Sequence, residues 1–496
     1  MIYNINLGIG WASSGVEYAQ SYRAAMLRNI HQPAKFIFTD MISYEHIEHM
    51  TKNIGFLDSE VIWLYMYFTD FKMTPVTYTK EQLEKTFVNQ KYTYRRDGKI
   101  GRYIFEGNNN FYTVYFVKED SDLVHRVEMV SNGFLIRKDY YTYARLYSEY
   151  YAPLDNKAHL YLRRFFNEDG SVAYEEINDD ENVMYQMKDQ LLCSKEEFIQ
   201  YFITSLNLTN KDIVILDRTT GVGQAVFMSA KQAKIGIIIH ADHFSQENTN
   251  DDYILWNNYY EYPFHMYKHV NFYIAATEEQ SSLFVKQFEK YNHYTPKVYT
   301  IPVGSLKELK YPKQQRKPFS VITASRLASE KHIDWAIEAT VIAHEKIPNI
   351  TLDIYGQGGE KEKLEKQIKD ANAQSYIKLC GQQNLDEVYQ NYEVYLSGST
   401  SEGFGLSLME AIGGGLPIIG FDVRYGNPTF IDDSKNGYLI EIDENTSIRE
   451  KIDTLADKLI KIFQEADLET FHQHSYEVAS RYLTSEVEKK WKQVVE

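Results

Sequence analysis

The sequence predicts an α/β protein with two doubly wound, parallel-sheet domains, the first of them interrupted by an antiparallel β-domain. Three observations carry this. The chain opens with an apolar strand, a glycine-rich turn and a helical pattern; strands alternating with helical segments resume after residue 194 and again after residue 317; and between roughly 75 and 190 the texture changes to short, tyrosine-rich alternating segments. A strand, turn, helix, strand order is a βαβ unit, and it implies a parallel sheet because only a crossover returns the chain in the same direction.

Residues 2–7 (IYNINL) form the first strand, GIGWASSG the turn, VEYAQSYRAAMLRNI the helix and KFIFT (35–39) the second strand. Residues 92–186 hold 14 of the 41 tyrosines, a density that suits pleated strands better than helices. Alternation in YRRDGKIGRYIFEGNNNFYTVYFVKEDSDLVHRVEMV predicts an insert with one face on the core and another presenting aromatic rings. Ser194 and Glu197 make a capping box ahead of FIQYFITSL. DIVILD (212–217), IGIIIH (235–240) and NFYIAA (271–276) follow as buried strands. The link IPVGSLKELKYPKQQRKP (301–318) is polar, carries three prolines and reads as a boundary. PFSVITAS (318–325), LDIYG, IKLCG, EVYLSGS, LPIIGFD and GYLIEI are the strands of the second α/β run, and 450–496 is charged and helical. The expected domains are 1–74 with 191–303, an inserted β-rich domain 75–190, a second α/β domain 304–480 and a C-terminal helix 481–496. Two doubly wound domains facing one another leave a cleft at the carboxyl ends of their strands, where ligands bind.

A chain of 496 residues is too long for a single small module. With 44% hydrophobic and 25% charged residues it has a folded composition, and its net charge of −16 is the wrong sign for general nucleic-acid binding. Two cysteines, Cys193 and Cys380, are too few for a disulfide framework and fit a reducing compartment. The first twenty residues contain no Lys or Arg, and no run of about 18 apolar residues occurs, which argues against an export signal or a membrane span.

The chemistry-bearing segment is STSEGFGLSLMEAIGGGLPIIGFD (399–422). Glu402 ends a strand and loop, Gly403 and Gly405 allow the backbone to approach a ligand, and the helix beginning at Leu406 offers its free N–H groups to an anion. Glu410, eight residues after Glu402, lies over the first turns of that helix. An E-x7-E pair alone is more often two helix-terminus charges. In TASRLASEKHID (323–334), Arg326 and Lys331 follow a strand and enter a helix as a pair of cations suited to a diphosphate, with Arg able to bind bidentately. An R-x4-K spacing alone is a common solvated face. The two segments gain weight together, because both follow strands of one domain and converge on the same rim.

Together they resemble the C-terminal domain of retaining GT-B glycosyltransferases, whose E-G-F-G-L-x-x-x-E-A-x-x-x-G-x-P pattern is matched at every fixed position. The resemblance covers both α/β domains. It implies a nucleotide-sugar donor in the interdomain cleft, no cofactor and no metal. It further implies that Arg326 and Lys331 hold the diphosphate, Glu410 the ribose, and Glu402 with Gly403, Phe404 and Gly405 the sugar. Gly381, Gln382 and Gln383 fall where that family reads the base. Gly8, Gly10 and Gly15 match its N-terminal glycine-rich loop, with Val16, Glu17 and Tyr18 opening a helix aimed at phosphate. His240, at the end of IGIIIH, is the choice for the histidine that faces the sugar, and His243 is its rival. NINLGIGWASSGVEYAQ, LIRKDYYTYARLYSEYYAP and DYILWNNYYEYPF (252–264) narrow the resemblance to the catalytic subunit of the glycosyltransferase of the bacterial accessory secretion system. That group implies transfer of N-acetylglucosamine from UDP-GlcNAc to Ser or Thr of serine-rich repeat adhesins in the cytoplasm before export. It also implies a paired, homologous, non-catalytic subunit, and it leaves room for peripheral contact with the inner face of the cell membrane.

Rival readings attach to particular residues. Asp120-Ser121-Asp122 imitates a metal-dependent transferase triplet but reads as a hairpin turn. Gly8, Gly10 and Asp40 imitate a dinucleotide fingerprint, with Ser13 where its third glycine belongs. A non-catalytic UDP-sugar-binding partner subunit and a nucleotide-sugar epimerase share the cleft.

Overall fold

The computed structural model describes residues 1–10, 15–107, 109–179, 182–443 and 445–496, so Ser13 and the whole WASS stretch lie outside the described residues. Two compact units emerge. The first comprises Met1–Ala25, Gln32–Ile237 and Glu261–Asn271; the second comprises Met26–His31, Ile238–Tyr260 and Phe272–Glu496.

Five parallel strands of the first α/β sheet lie in the order Lys234–Ile239, Ile213–Leu216, Ile2–Asn6, Ala34–Phe38, Val61–Trp63. The chain thus winds outward on one side with its first three strands and on the other with the later two, which makes the sheet doubly wound. Val61–Trp63 was not anticipated, because three residues are too few to show a period. Buried polar groups are costly unless bonded. Asn4 and Asn6 nonetheless sit fully buried in the central strand, Asn4 donating to the Lys35 carbonyl (3.1 Å) and Asn6 to the side chains of Glu17 and Gln20 (both 3.3 Å).

The inserted sheet is a ten-stranded antiparallel meander in chain order, running from Tyr92–Asp97 to Leu191–Leu192. Just before it, Thr79 and Gln82 cap the helix Lys80–Glu84 reciprocally. The faces of the sheet are mixed: Phe134 and Tyr161 are exposed, and Tyr92, Tyr94, Tyr112 and Tyr115 are half-buried. Tyr103, Tyr174 and Tyr185 are wholly buried, while the large apolar side chains left exposed are mostly aliphatic, among them Ile100, Ile104, Ile136 and Leu154. Rings stack inside: Tyr140 on Tyr147 (4.3 Å), Phe165 on Tyr174 (4.4 Å), Tyr185 on Phe198 (4.2 Å). A tyrosine can be buried when its hydroxyl finds a partner. Tyr103 donates to Glu84 (2.8 Å), Tyr174 to the Tyr65 carbonyl (2.7 Å) and Tyr140 to Glu149 (3.0 Å). On five consecutive strands Glu128, Lys138, Glu149, Arg163 and Glu176 stand opposite one another in register, alternating in sign. Arg163 bonds Glu149 at 3.0 Å and also Glu176.

In the second unit six parallel strands lie in the order Ile377–Gly381, Thr351–Tyr355, Ser320–Ala324, Val394–Leu396, Ile418–Phe421, Gly437–Ile440. The order reverses between Ser320–Ala324 and Val394–Leu396. Residues 301–318 are built into this unit: buried Arg316 donates to the carbonyls of Gln390 (2.9 Å), Tyr392 and Gly414 (both 2.8 Å). The helices Ile448–Gln464, Leu468–Ser480 and Thr484–Val495 finish the chain.

Arg163 is the keystone of the charge ladder, since its removal leaves two buried carboxylates facing it. Arg163→Met is expected to cost about 3–5 kcal/mol, read as a lowered urea midpoint, with partial recovery when Glu176→Gln is added.

Candidate functional site

In a doubly wound sheet the strands on either side of the reversal send their following loops in opposite directions, which opens a crevice at their carboxyl ends. In the second unit those two loops are 325–332 and 397–405, and they carry the residues singled out from sequence. Ser320–Ala324 leads into the short helical turn Ser329–Lys331, and Val394–Leu396 leads through Gly398 to Glu402. Lys331 Nζ lies 2.5 Å from Glu402 Oε2, the two side chains being 14% and 17% exposed. The Glu402 backbone is pinned as well: its carbonyl accepts from the N–H groups of Tyr425 (2.5 Å) and Gly426 (2.7 Å), and its N–H donates to the Arg424 carbonyl (3.2 Å). Arg326, by contrast, is 78% exposed and pairs with Glu330 at 3.2 Å. The structure therefore joins Lys331 to Glu402 and leaves the Arg326 guanidinium on the surface nearby in sequence.

The helix Leu406–Gly413 begins where expected, after Gly405 at φ 86°, a left-handed conformation that glycine alone adopts without strain. Gly403 lies against the His240 main chain, a Cβ built on it standing 3.2 Å from the His240 carbonyl oxygen. Phe404 turns inward, its ring packing on Phe430 (5.1 Å) and Tyr482 (6.1 Å), so its side chain belongs to the core and only its backbone borders the loop. Partial burial pushes the Glu410 carboxyl up to about 7; the hydroxyl of buried Tyr389, 3.2 Å away, works against the shift and the Asp386 carboxylate adds to it. Tyr389 was missed in the sequence, where nothing in its surroundings distinguishes it from other core tyrosines. Gln382 and Gln383 are exposed beyond Gly381, and Gln383 donates to the Cys380 carbonyl (2.9 Å).

The two histidines separate. His243 is fully buried, bonded to Gln287 (2.6 Å) and to the Tyr425 hydroxyl (3.3 Å), and burial holds it down at about 4. His240 is half-buried at the end of Lys234–Ile239, its N–H donating to the Tyr260 hydroxyl (2.9 Å). Nearby, burial and the carboxylate of Asp422 raise Glu279 to about 6, an effect that Arg424 opposes.

The helix Gly15–Asn29 of the first unit starts with Gly15 and Tyr18 exposed, Val16 half-buried and Glu17 buried. Glu17 faces inward, accepting from Asn6 (3.3 Å) with Arg218 at 3.6 Å, in a polar cluster that continues through Gln20 to Asp217 (2.7 Å). Asp40, the acidic residue of the dinucleotide imitation, is paired with Lys195 at 2.8 Å. The 120–122 triplet occupies the turn between Asn110–Phe116 and Val124–Ser131, with Asp122 bonded to Arg96 at 2.9 Å. Among the described residues no three His, Cys, Asp or Glu side chains are placed to hold a metal ion.

Residues 92–189 match the family described as GtfA extended beta-sheet domain, and 286–462 match Glycosyl transferases group 1. The chain is 54% identical over 495 residues to the UDP-N-acetylglucosamine–peptide N-acetylglucosaminyltransferase GtfA subunit of Streptococcus gordonii, covering all of this chain and 98% of that one. The chain belongs to the GtfA family. The corresponding GtfA subunit of Streptococcus pneumoniae is 50% identical over 496 residues, 100% of this chain and 99% of that one. Among solved structures, a GtfA/B complex superposes with a TM-score of 0.97 at 53% identity, covering 100% of this chain and 99% of that chain. Pneumococcal O-GlcNAc transferase GtfA in complex with UDP and GlcNAc gives 0.92 at 49% identity, covering 100% of this chain and 98% of that chain. The GT-B fold read from the sequence stands with these relatives, and the match to the GtfA extended beta-sheet domain falls within the antiparallel insert.

The raised Glu410 has a measurable consequence. Between the ordinary glutamate range and pH 7 the folded chain keeps a proton that the unfolded chain has released, so this group's contribution to stability falls as pH rises through that window. Glu410→Gln is expected to match the parent near pH 4 and to exceed it by about 1–3 kcal/mol above pH 7, read from denaturant midpoints across the range.

Proposed function

We propose that this chain transfers N-acetylglucosamine from UDP-GlcNAc to serine and threonine hydroxyls of a polypeptide, with retention of the anomeric configuration. The observation that carries the reading is the paired Lys331 and Glu402 at the reversal of the second sheet, directly before the start of the helix Leu406–Gly413. The relatives named for this activity support it, as does the structure of a 49% identical GtfA with UDP and GlcNAc.

Chemically, the bond from the anomeric carbon to the β-phosphate oxygen breaks with its electron pair leaving on UDP, and the acceptor oxygen forms the new bond on the same face. The acceptor's proton passes to the leaving phosphate oxygen. Negative charge grows on the diphosphate, so preorganised cations and N–H dipoles lower the barrier. Lys331 supplies the largely shielded charge, Arg326 an exposed bidentate one, and the helix N-terminus the dipole. Glu402 with the Gly403–Gly405 backbone and His240 face the sugar, Glu410 receives ribose hydroxyls, and Gln382 and Gln383 border the base. These charges do the work a divalent ion does in other transferases, and the reaction runs without metal.

The acceptor is a Ser/Thr-rich adhesin glycosylated in the cytoplasm before export through the accessory secretion route, with the enzyme resting at the inner face of the membrane. Among the described residues no helix is long and apolar enough to cross a membrane. The partner is a homologous non-catalytic subunit, for which the GtfA/B complex of a 53% identical chain is the support, and the antiparallel insert docks that subunit or the acceptor chain.

Arg326→Ala and Lys331→Ala are each expected to lower transfer from UDP-GlcNAc to a Ser/Thr-rich polypeptide by roughly 10²–10³-fold. Their stabilities should diverge: Arg326→Ala melts like the parent, whereas Lys331→Ala strands Glu402 and loses about 1–3 kcal/mol. Near-normal transfer by both variants would remove the diphosphate assignment. Excess chelator should leave the rate unchanged, and loss of activity restored by Mn²⁺ or Mg²⁺ would overturn the metal-free mechanism.

A further inference from the structure

Lys331 and Glu402 hold one another with Nζ 2.5 Å from Oε2, and both are more than four-fifths shielded from water. The main chain keeps them there. A Cβ on Gly398 would stand 2.5 Å from the His332 carbonyl oxygen and 3.2 Å from that of Lys331, so the two loops are pressed together. The Glu402 main chain is bound on both sides by residues 424–426. Neither loop can withdraw its charge without breaking these contacts, and only side-chain rotation separates the pair. A lysine ammonium is a compact charge with rotatable donors, suited to changing partners. The diphosphate of a donor seeks this same ammonium, so binding is an exchange in which phosphate oxygens displace the Glu402 carboxylate. Arg326 sets no such condition, because its pair with Glu330 is solvent-exposed and exposed pairs contribute little.

We propose that Glu402 is an internal counter-ion that competes with the diphosphate for Lys331 and so weakens the hold on product UDP; this rests on the donor reading above. With the sugar attached, the donor's hydroxyls occupy the Glu402 carboxylate and the competition is relieved. Once the sugar has moved to the acceptor and the leaving phosphate has lost its proton to solvent, UDP carries one more negative charge than the donor's diphosphate and would be the tighter ligand of a lone lysine. Glu402, freed of the sugar, then reclaims Lys331 as UDP leaves. One carboxylate thus serves the sugar in one half of the cycle and product release in the other.

The test is calorimetric titration of UDP and of uridine into the wild-type chain, Glu402→Gln, Glu402→Asp, Lys331→Met and the Glu402→Gln/Lys331→Met double variant. Glu402→Gln should bind UDP roughly fivefold tighter or more, the amide no longer competing as an anion. Glu402→Asp, which draws the charge back by one methylene, should shift UDP affinity the same way by less, and it decides the matter if the Gln variant fails to fold. Uridine, lacking phosphates, should bind all variants alike, and Glu402→Gln should gain nothing in the Lys331→Met background. Unchanged or weaker UDP binding by the Glu402 variants, or an equal gain for uridine or without Lys331, would overturn the proposal. Absence of UDP binding by the wild-type chain would instead remove the donor reading on which it rests.

Discussion

The close approach of two loops at the reversal of the second sheet is the constraint on which the candidate site depends. Ser320–Ala324 and Val394–Leu396 are hydrogen-bonded neighbours, so the segments leaving their carboxyl ends start side by side and compete for the same space. They fit because Gly398 has no side chain at the point where the His332 and Lys331 carbonyls pass. That contact delivers Lys331 to Glu402, and the Glu402 main chain, tied to Tyr425 and Gly426, then fixes the turn into the helix at Leu406. A larger residue at 398 would push the loops apart and disperse the pair, the glycine turn and the helix start together.

Buried polarity organises the first unit in a different way. Its central strand carries Asn4 and Asn6, which no hydrophobic core selects, and the side-chain amide of each donates to a specific partner. The inserted meander repeats the theme with Glu149, Arg163 and Glu176. A one-residue slip of these strands would turn their charged side chains to the opposite face of the sheet and break the ladder, so it penalises wrong registers. The tyrosines of the same sheet follow suit, their hydroxyls finding carboxylates and carbonyls within the stack.

Much of the site was legible because its signals are local. Glu402 and Glu410 flank a glycine turn that only a loop-to-helix junction explains, and the helix Leu406–Gly413 stands there. Arg326 and Lys331 were read as a pair of cations on the strength of spacing; Arg326 lies in the loop after the strand and is on the surface, whereas Lys331 ends the 3-10 turn Ser329–Lys331 and is locked to Glu402. Phe404 was read with its glycine neighbours as part of the sugar loop, although its ring fills the core against Phe430. His240 and His243 could not be separated by position, since both follow the same strand. Their burial and their partners, Gln287 and Tyr425 for His243, come from distant segments.

The sequence by itself determined the order of elements, the parallel character of both α/β sheets, the antiparallel insert and the glycine-flanked carboxylates, because period, turn chemistry and capping act over a few residues. The tertiary structure alone decided which charges meet. It chose Glu402 over Glu330 as the partner of Lys331, set Tyr389 on Glu410 and raised that carboxyl toward neutrality, and buried Tyr103, Tyr174 and Tyr185 of the insert. These depend on contacts between residues far apart in the chain and on how much water each pair retains, quantities that no local pattern encodes.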